Sequence, residues 1–180
     1  MATKTPPQHQ ESTPAWSSDE LSTDPHARDD KAGKVQQMFA AIAGSYDLNN
    51  RLHSFGLDQR WRRNIVKLAG DLKGKQVLDV ACGTGDLAEA FAAAGPEHVE
   101  GIDFTPEMLE IARQRPGKDL ACPITWRVGD AMSLDVPSAS VDVVSIAFGL
   151  RNVLVPEKAL AEFRRVLRPD GKLLILEFSE

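Results

Sequence analysis

Cysteine is scarce in this chain of 180 residues, which contains only Cys82 and Cys122. Two cysteines cannot build the disulfide framework of a small secreted protein, so a reducing compartment is predicted. The four histidines are scattered and lack the spacing of zinc ligands, so no metal site is predicted. Cys82 has no histidine near it in the sequence, which favours a small turn residue over a nucleophile.

The chain also lacks long hydrophobic runs and any excess of basic residues. No apolar run approaches the roughly 18 residues that a membrane-spanning helix needs. The first thirty residues have no apolar signal-peptide core and are too acidic for a mitochondrial transit peptide. The net charge of −5 gives no reason to expect a nucleic-acid partner. The predicted location is the cytoplasm, with peripheral contact at the inner face of the membrane left open.

Composition and periodicity divide the chain into three predicted parts. Residues 1–30 are rich in Pro, Ser, Thr and Gln and poor in aliphatic residues, which predicts a disordered tail. Residues 31–74 carry helical periodicity and are predicted to form a helical segment. Residues 75–180 are predicted to form an α/β ligand-binding domain.

Strands and helices alternate from Lys75 onward, which predicts a doubly wound parallel sheet of about five strands, a Rossmann-like α/β fold. The strand candidates are 76–81, 98–103, 124–128, 141–147 and 172–178. The helix candidates are 86–94, 106–114 and 157–167. Thr105 is predicted as an N-cap before Pro106, and Arg168-Pro169-Asp170-Gly171 is predicted as a turn with Gly171 at its left-handed corner.

An amphipathic helix is predicted before the sheet. Leu57, Trp61, Ile65 and Leu68 share one face, and basic residues occupy the others. The basic residues, which are Arg60, Arg62, Arg63 and Lys67, are interpreted as a solvated face in preference to a contact with anionic lipid headgroups.

Three short apolar stretches are each followed by an acid, and the first of these acids precedes a glycine turn. An open parallel sheet binds ligands at the carboxyl ends of its strands, so Asp79, Asp103 and Asp130 are predicted to line one edge. Asp103 can accept hydrogen bonds from ribose hydroxyls, and Asp130 can accept one from an exocyclic amino group. Asp79 can orient the turn and hold a cationic amino-acid tail. Gly83 and Gly85 permit unusual backbone angles and close approach of a ligand.

The turn Gly83-Thr84-Gly85-Asp86-Leu87-Ala88 also fits the dinucleotide fingerprint, which by itself is weak evidence. A carboxylate just before the turn would repel a pyrophosphate and attract an ammonium group. S-adenosyl-L-methionine is therefore favoured over NAD as the cofactor.

These residues resemble the Rossmann-like methyltransferases that depend on S-adenosylmethionine. Two further segments, Tyr46 to Trp61 and Phe148 to Val153, resemble the signatures of the menaquinone and ubiquinone biosynthesis C-methyltransferases. In that family the first signature usually carries a histidine near Asp58. The resemblance implies C-methylation of a prenylated quinol, either demethylmenaquinol or a 2-methoxy-6-polyprenyl-benzoquinol.

The resemblance also implies roles for individual residues. The implied cofactor positions are Thr84, Asp103, Phe104, Asp130 and Ala131, beside Asp79, Gly83 and Gly85 from the turn argument. The implied catalytic positions are Tyr46, Arg151 and Asn152. Arg151 would stabilise a ring oxyanion or hold a proton-accepting water, and Asn152 and Tyr46 would orient ring hydroxyls.

Two other functions stay open at this point. The resemblance implies that residues 31–74 lie on the substrate side and that residues 75–180 lack the last strands of the domain, because methyltransferases of this class continue beyond a fifth strand. A truncated, non-catalytic nucleoside-binding module is therefore one alternative. A NAD-dependent reductase is the other.

Overall fold

The computed structural model describes residues 31–45, 54, 56–117 and 119–178. The predicted tail over residues 1–30 lies outside the described residues. The helices are α1 (Lys31–Ile42), α2 (Leu57–Ala69), α3 (Asp86–Ala93), α4 (Pro106–Gln114) and α5 (Pro156–Val166). The strands are β1 (Gln76–Val80), β2 (His98–Asp103), β3 (Ile124–Val128), β4 (Val141–Ala147) and β5 (Leu167–Leu176). Short 3-10 helices cover Ala43–Ser45 and Leu150–Asn152.

The five strands form one parallel sheet in the order β3-β2-β1-β4-β5. The order reverses beside β1, which is the position where doubly wound sheets bind their ligands. The predicted fold class is confirmed, and the predicted bounds of β2, β3 and β4 agree with the structure. The ends of β2 and β3 were predictable because Asp103 ends the first strand and Gly129 follows the second.

Apolar clusters cover both faces of the central strands, as a parallel sheet requires. Leu78 and Val80 pack with α5 on one face, while Val77 packs with α2 and α3 on the other. Ile65 and Ala69 of α2 belong to that second cluster, so α2 is packed into the core beside α3 and β5. No described helix is long and apolar enough to cross a membrane.

The predicted faces of α2 are wrong. Leu57 and Leu68 are exposed, whereas Arg62 is buried together with Asp58, Ile65 and Ala69. A pattern of apolar residues alone could not find this face, because buried carboxylates stabilise the buried arginine.

The turn predicted over Arg168–Gly171 lies within β5 as a bulge. Leu167 pairs with Val141 and Lys172 with Val143, so the residues between them are extruded from the ladder. The left-handed residue is Asp170, with φ of 66°, and not Gly171. Gly171 is needed for space, because a Cβ there would lie 2.8 Å from Leu167 Cδ2 and 2.9 Å from the Arg168 carbonyl oxygen.

Candidate functional site

A cleft of about 820 Å³, partly open to solvent, lies at the carboxyl ends of the central strands. Its walls come from the segments that follow β1, β2, β3 and β4, and from one face of α1. Of the predicted cofactor residues, the cleft is lined by Gly83, Asp103, Phe104, Asp130 and Ala131.

The glycine turn is bound to the end of β2. Ala81 and Gly83 have left-handed φ angles of 51° and 57°, which turn the chain sharply after β1. The Gly83 N–H donates to Asp103 Oδ2 at 2.7 Å. The backbone of Gly83 therefore reaches the cleft in a position that β2 fixes. Thr84 is buried within the turn and does not line the cleft.

Gly85 is needed for a reason that the sequence did not indicate. It is the N-cap of α3 with φ of 93°, and a Cβ built on it would lie 2.5 Å from Cη2 of Trp126. The same indole ring packs against Gly101, where a Cβ would lie 2.5 Å from ring atoms. Gly85 thus admits the Trp126 ring beneath the turn, and it does not line the cleft.

Replacing Gly85 with Ala should destabilise the fold more than replacing Gly74, whose φ of 69° is also left-handed but whose Cβ would meet nothing within 4 Å. The left-handed angle costs about 1–2 kcal/mol in each variant. Overlap with Trp126 should add about 1–3 kcal/mol in G85A. Urea unfolding measures both values, and equal losses in the two variants would contradict the packing role of Gly85.

Asp103 is the carboxylate that ends β2 at the cleft. Its Oδ2 accepts the Gly83 N–H at 2.7 Å, and its Oδ1 accepts the Thr105 N–H at 2.8 Å. Burial raises the pKa of Asp103, and these backbone hydrogen bonds oppose the rise. A carboxylate oxygen can accept more than one hydrogen bond, so Asp103 has further capacity to accept from ligand hydroxyls.

Asp130 and Ala131 lie on the neighbouring wall, just after β3. Asp130 Oδ1 accepts the Met132 N–H at 2.8 Å, which orients the carboxylate in the loop. Across the cleft opening, Phe104 is exposed, and its carbonyl accepts a hydrogen bond from Gln36 of α1 at 2.8 Å. This contact ties α1 to the segment that carries Asp103.

The structure does not place Asp79 at the cleft edge, so the prediction of three acids along one edge is wrong for this residue. Asp79 is 1% exposed, on the β1 face that packs against α3, and its Oδ1 accepts the Ser145 hydroxyl at 2.6 Å. Side chains alternate along a strand, so Val80 lines the cleft while Asp79 points to the other face of the sheet. Burial raises the pKa of Asp79 to about 7.

This raised pKa predicts a pH-dependent contribution to stability. The folded chain keeps a proton on Asp79 up to about pH 7, whereas the unfolded carboxyl, with a pKa near 3.8, releases it earlier. The contribution is therefore present in full below about pH 4 and is lost as the pH rises through 7. In urea unfolding at pH 5 and pH 8, the wild type should lose stability relative to D79N. Ser145→Ala should steepen the loss, because the ionised form loses its donor. The same pH dependence in wild type and D79N would contradict this assignment.

A buried charge cluster, which the sequence did not reveal, joins α2 to the start of α3. Arg62 Nε lies 3.9 Å from both Asp58 Oδ2 and Asp86 Oδ2. Gln59 Nε2 donates to the same two carboxylate oxygens at 3.0 Å. Arg115 also pairs with Asp86, at 2.5 Å. Burial alone would raise the pKa of Asp58, but hydrogen bonds from Ser54 and Gln59 bring it below its ordinary value.

The predicted catalytic residues are only partly brought to the cleft. Asn152 lines it, and its side-chain amide donates to the Phe148 carbonyl at 3.4 Å. Arg151 is exposed, does not line the cleft, and pairs with Glu177 at 3.3 Å. Its guanidinium carbon lies 5.3 Å from the centre of the Phe178 ring. Tyr46 lies outside the described residues.

The cleft also has an apolar wall that site prediction from the sequence missed. Val35 and Phe39 of α1 line it, together with Met108, Phe148 and Leu154. The helical spacing of Val35 and Phe39 was visible in the sequence, but such spacing cannot distinguish a core face from a ligand face.

These residues fit a nucleoside. Asp103 supplies acceptors for a vicinal diol, Asp130 supplies an acceptor for an amino group, and Gly83 brings backbone close to the ligand. Apolar side chains between them can pack against a base. Because Asp79 is not in the cleft, its charge does not distinguish S-adenosylmethionine from NAD as expected from the sequence.

Comparison with known proteins identifies the family of this chain. The profile of the ubiE/COQ5 methyltransferase family matches residues 27–180. The chain belongs to this family. The cofactor predicted from the sequence, S-adenosylmethionine, is the one that this family uses.

Curated relatives agree with the family assignment. A ubiquinone/menaquinone biosynthesis C-methyltransferase UbiE of Citrifermentans bemidjiense is 46% identical over 157 residues, covering 86% of this chain and 67% of the relative. A demethylmenaquinone methyltransferase of Thermus thermophilus is 49% identical over 142 residues, covering 78% of this chain and 64% of the relative. The chain thus spans about two thirds of the length of the curated relatives it matches.

A solved structure shares the fold. Phosphoethanolamine N-methyltransferase 1 of Haemonchus contortus, solved with phosphoethanolamine and S-adenosylhomocysteine, superposes with a TM-score of 0.65 at 22% identity. The match covers 83% of this chain and 33% of that chain. At this identity the likeness shows the fold alone.

Proposed function

We propose that this protein transfers a methyl group from S-adenosylmethionine to a ring carbon of a prenylated quinol in respiratory quinone biosynthesis. One observation carries the proposal: the glycine turn and the second signature segment line the same cleft. In this proposal Gly83 and Asp103 line the nucleoside side of the cleft. The acceptor side is lined by Phe148, Gly149 and Asn152. The names of the curated relatives support the same reaction.

The nucleoside side would be held by groups that are already oriented. Asp103 would accept both ribose hydroxyls with the lone pairs left free by Gly83 and Thr105. Asp130, whose Oδ1 takes the Met132 N–H, would accept the amino group of the base with its other oxygen. Phe104 and Ala131 would contact the base. Thr84 and Gly85 would act within the turn, away from the cleft lining.

The acceptor side has one polar group in an apolar surrounding. When bound, S-adenosylmethionine supplies a methyl group on a positively charged sulfur. Asn152 would orient a ring hydroxyl, and the walls formed by Phe39, Phe148 and Leu154 would exclude water from the reacting ring. A dry cleft favours a reaction in which opposite charges cancel.

Arg151 is proposed to act from the rim of the cleft. Arg151 directly precedes Asn152 in the chain. Its guanidinium would stabilise the oxyanion formed when a ring hydroxyl loses its proton. Arg151 would have to exchange its 3.3 Å contact with Glu177 for the ring oxygen. Tyr46 stays a predicted partner in orienting the ring.

Because the acceptor carries an apolar prenyl chain, it would reach the protein from the membrane. We therefore propose that the protein works in peripheral contact with the inner face of the membrane. The ring is a naphthoquinol or a benzoquinol, since the relatives' names include both menaquinone and ubiquinone.

The test is methyl transfer from labelled S-adenosylmethionine to a short-chain demethylmenaquinol and to the matching benzoquinol, both kept reduced. We expect one methylated quinol by mass spectrometry. N152A should slow turnover with little change in cofactor affinity, whereas the exposed Asn64→Ala should leave both unchanged. Binding of S-adenosylhomocysteine without transfer to either acceptor would reject the enzyme in favour of a nucleoside-binding module. Binding of NADH in its place would favour a reductase.

A further inference from the structure

The outer face of α2 combines cations with exposed leucines. We define this face by its six exposed residues, which are Leu57, Arg60, Arg63, Asn64, Lys67 and Leu68. It carries three positive charges and no acid, because Asp58, the only acid of the helix, is buried on the opposite side. A chain with a net charge of −5 thus presents a local cationic surface here.

The cations of this face are not engaged within the part of the chain that the structure describes. Arg60, Arg63 and Lys67 form no ion pair with another described residue, whereas Arg127 pairs with Glu100 at 2.7 Å and Arg168 with Asp142 at 2.7 Å. The three charges are therefore available to an anionic partner.

The leucines indicate what kind of partner this is. Leu57 and Leu68 are 46% and 65% exposed, at the two ends of the face. Eleven residues of helix separate them by about 16 Å, with the cations between them. Helices that lie in the membrane interface pair cations for the headgroups with apolar residues that enter the acyl boundary. A polyanion such as nucleic acid would leave the leucines in water.

Helix α2 also lies beside the cleft. Trp61, on the same helix, is 6.2 Å from the Phe148 ring that lines the cleft, measured between ring centres. Phe178, which is 61% exposed, lies 5.8 Å from Trp61 and stacks on Phe148 at 4.8 Å. An apolar aromatic surface thus connects this side of the molecule with the cleft wall.

We propose that the outer face of α2 docks on an anionic lipid bilayer. The cations contact lipid phosphates, and the leucines enter the acyl boundary. The purpose of this docking, delivery of a prenylated acceptor to the cleft, rests on the proposed function. The docking itself does not, because it needs neither cofactor nor acceptor.

The experiment is co-sedimentation of the full chain with vesicles of phosphatidylglycerol and phosphatidylcholine, compared with vesicles of phosphatidylcholine alone. We expect binding to the anionic vesicles that weakens as salt is raised. The triple variant R60Q/R63Q/K67Q should bind about a hundredfold more weakly, since each cation near an anionic surface contributes about fivefold. L57Q/L68Q should bind more weakly than the wild type even at low salt, where the cations contribute most to binding.

A matched control comes from α5, which packs on the other face of the sheet. K158Q/L160Q/R164Q removes two cations and one exposed leucine there and should bind vesicles like the wild type. Circular dichroism confirms that each variant is folded.

Absence of wild-type vesicle binding, or equal losses in the α2 and α5 variants, would overturn the proposal. Binding of DNA without binding of vesicles would overturn it in favour of a polyanion. Methyl transfer to a short-chain acceptor without vesicles tests the proposed function separately.

Discussion

Replacing Asp103 with Ala should weaken S-adenosylhomocysteine binding about 5- to 150-fold. The carboxylate accepts the Gly83 and Thr105 N–H groups and is proposed to accept both ribose hydroxyls. Unpairing buried polar groups costs about 1–3 kcal/mol, which corresponds to that range. Calorimetric titration measures the affinity, and circular dichroism measures the folded fraction in the same sample.

Two further variants make the result specific. Asp103→Asn keeps the shape and one acceptor oxygen, so we expect an intermediate affinity. Asp135→Ala removes a fully exposed carboxylate from a loop after β3 and should leave binding unchanged. Wild-type affinity in D103A would reject the ribose role of Asp103.

Replacing Arg62 with Met should lower the free energy of unfolding by about 3 kcal/mol. The arginine lies among buried carboxylates, and removing one partner of a buried ion pair leaves an uncompensated charge, which costs about 3–5 kcal/mol. The lower end of that range applies because Asp86 keeps its contact with Arg115. Urea unfolding at neutral pH measures the change.

Arg63→Met is the matched control on the next residue of α2, which is exposed. Its effect should stay within about 0.5 kcal/mol, as for most surface substitutions. If R62M and R63M are equally stable, the buried cluster does not hold α2 to the glycine turn.

The sheet could be predicted from the sequence because its strands are short apolar runs with clear ends. The positions of Asp103 and Asp130 followed from the rule that parallel strands present their carboxyl ends at one edge. The same rule did not give the position of Asp79. This residue lies one position before the end of its strand, where side chains alternate between the two faces of the sheet. The alternation of side chains along β1 therefore decides that Asp79 lies in the core and not in the cleft.

Contacts between distant segments could not be predicted. Gly85 carries the pattern of a ligand-binding glycine, yet the structure shows that the Trp126 ring, 41 positions later, requires it. Arg62 belongs to a run of basic residues that is typical of a solvated helix, and its buried position depends on Asp86. Residues 35 and 39 showed a helical spacing without indicating that this face would close a cleft.

The measurement that tests the central claim most directly is titration calorimetry of the wild-type chain with S-adenosylhomocysteine and, separately, with NADH. The cleft described above predicts one S-adenosylhomocysteine bound per chain and no heat of binding with NADH. Saturable binding of NADH, with none of S-adenosylhomocysteine, would contradict the assignment of this cleft to the methyl-donor nucleoside.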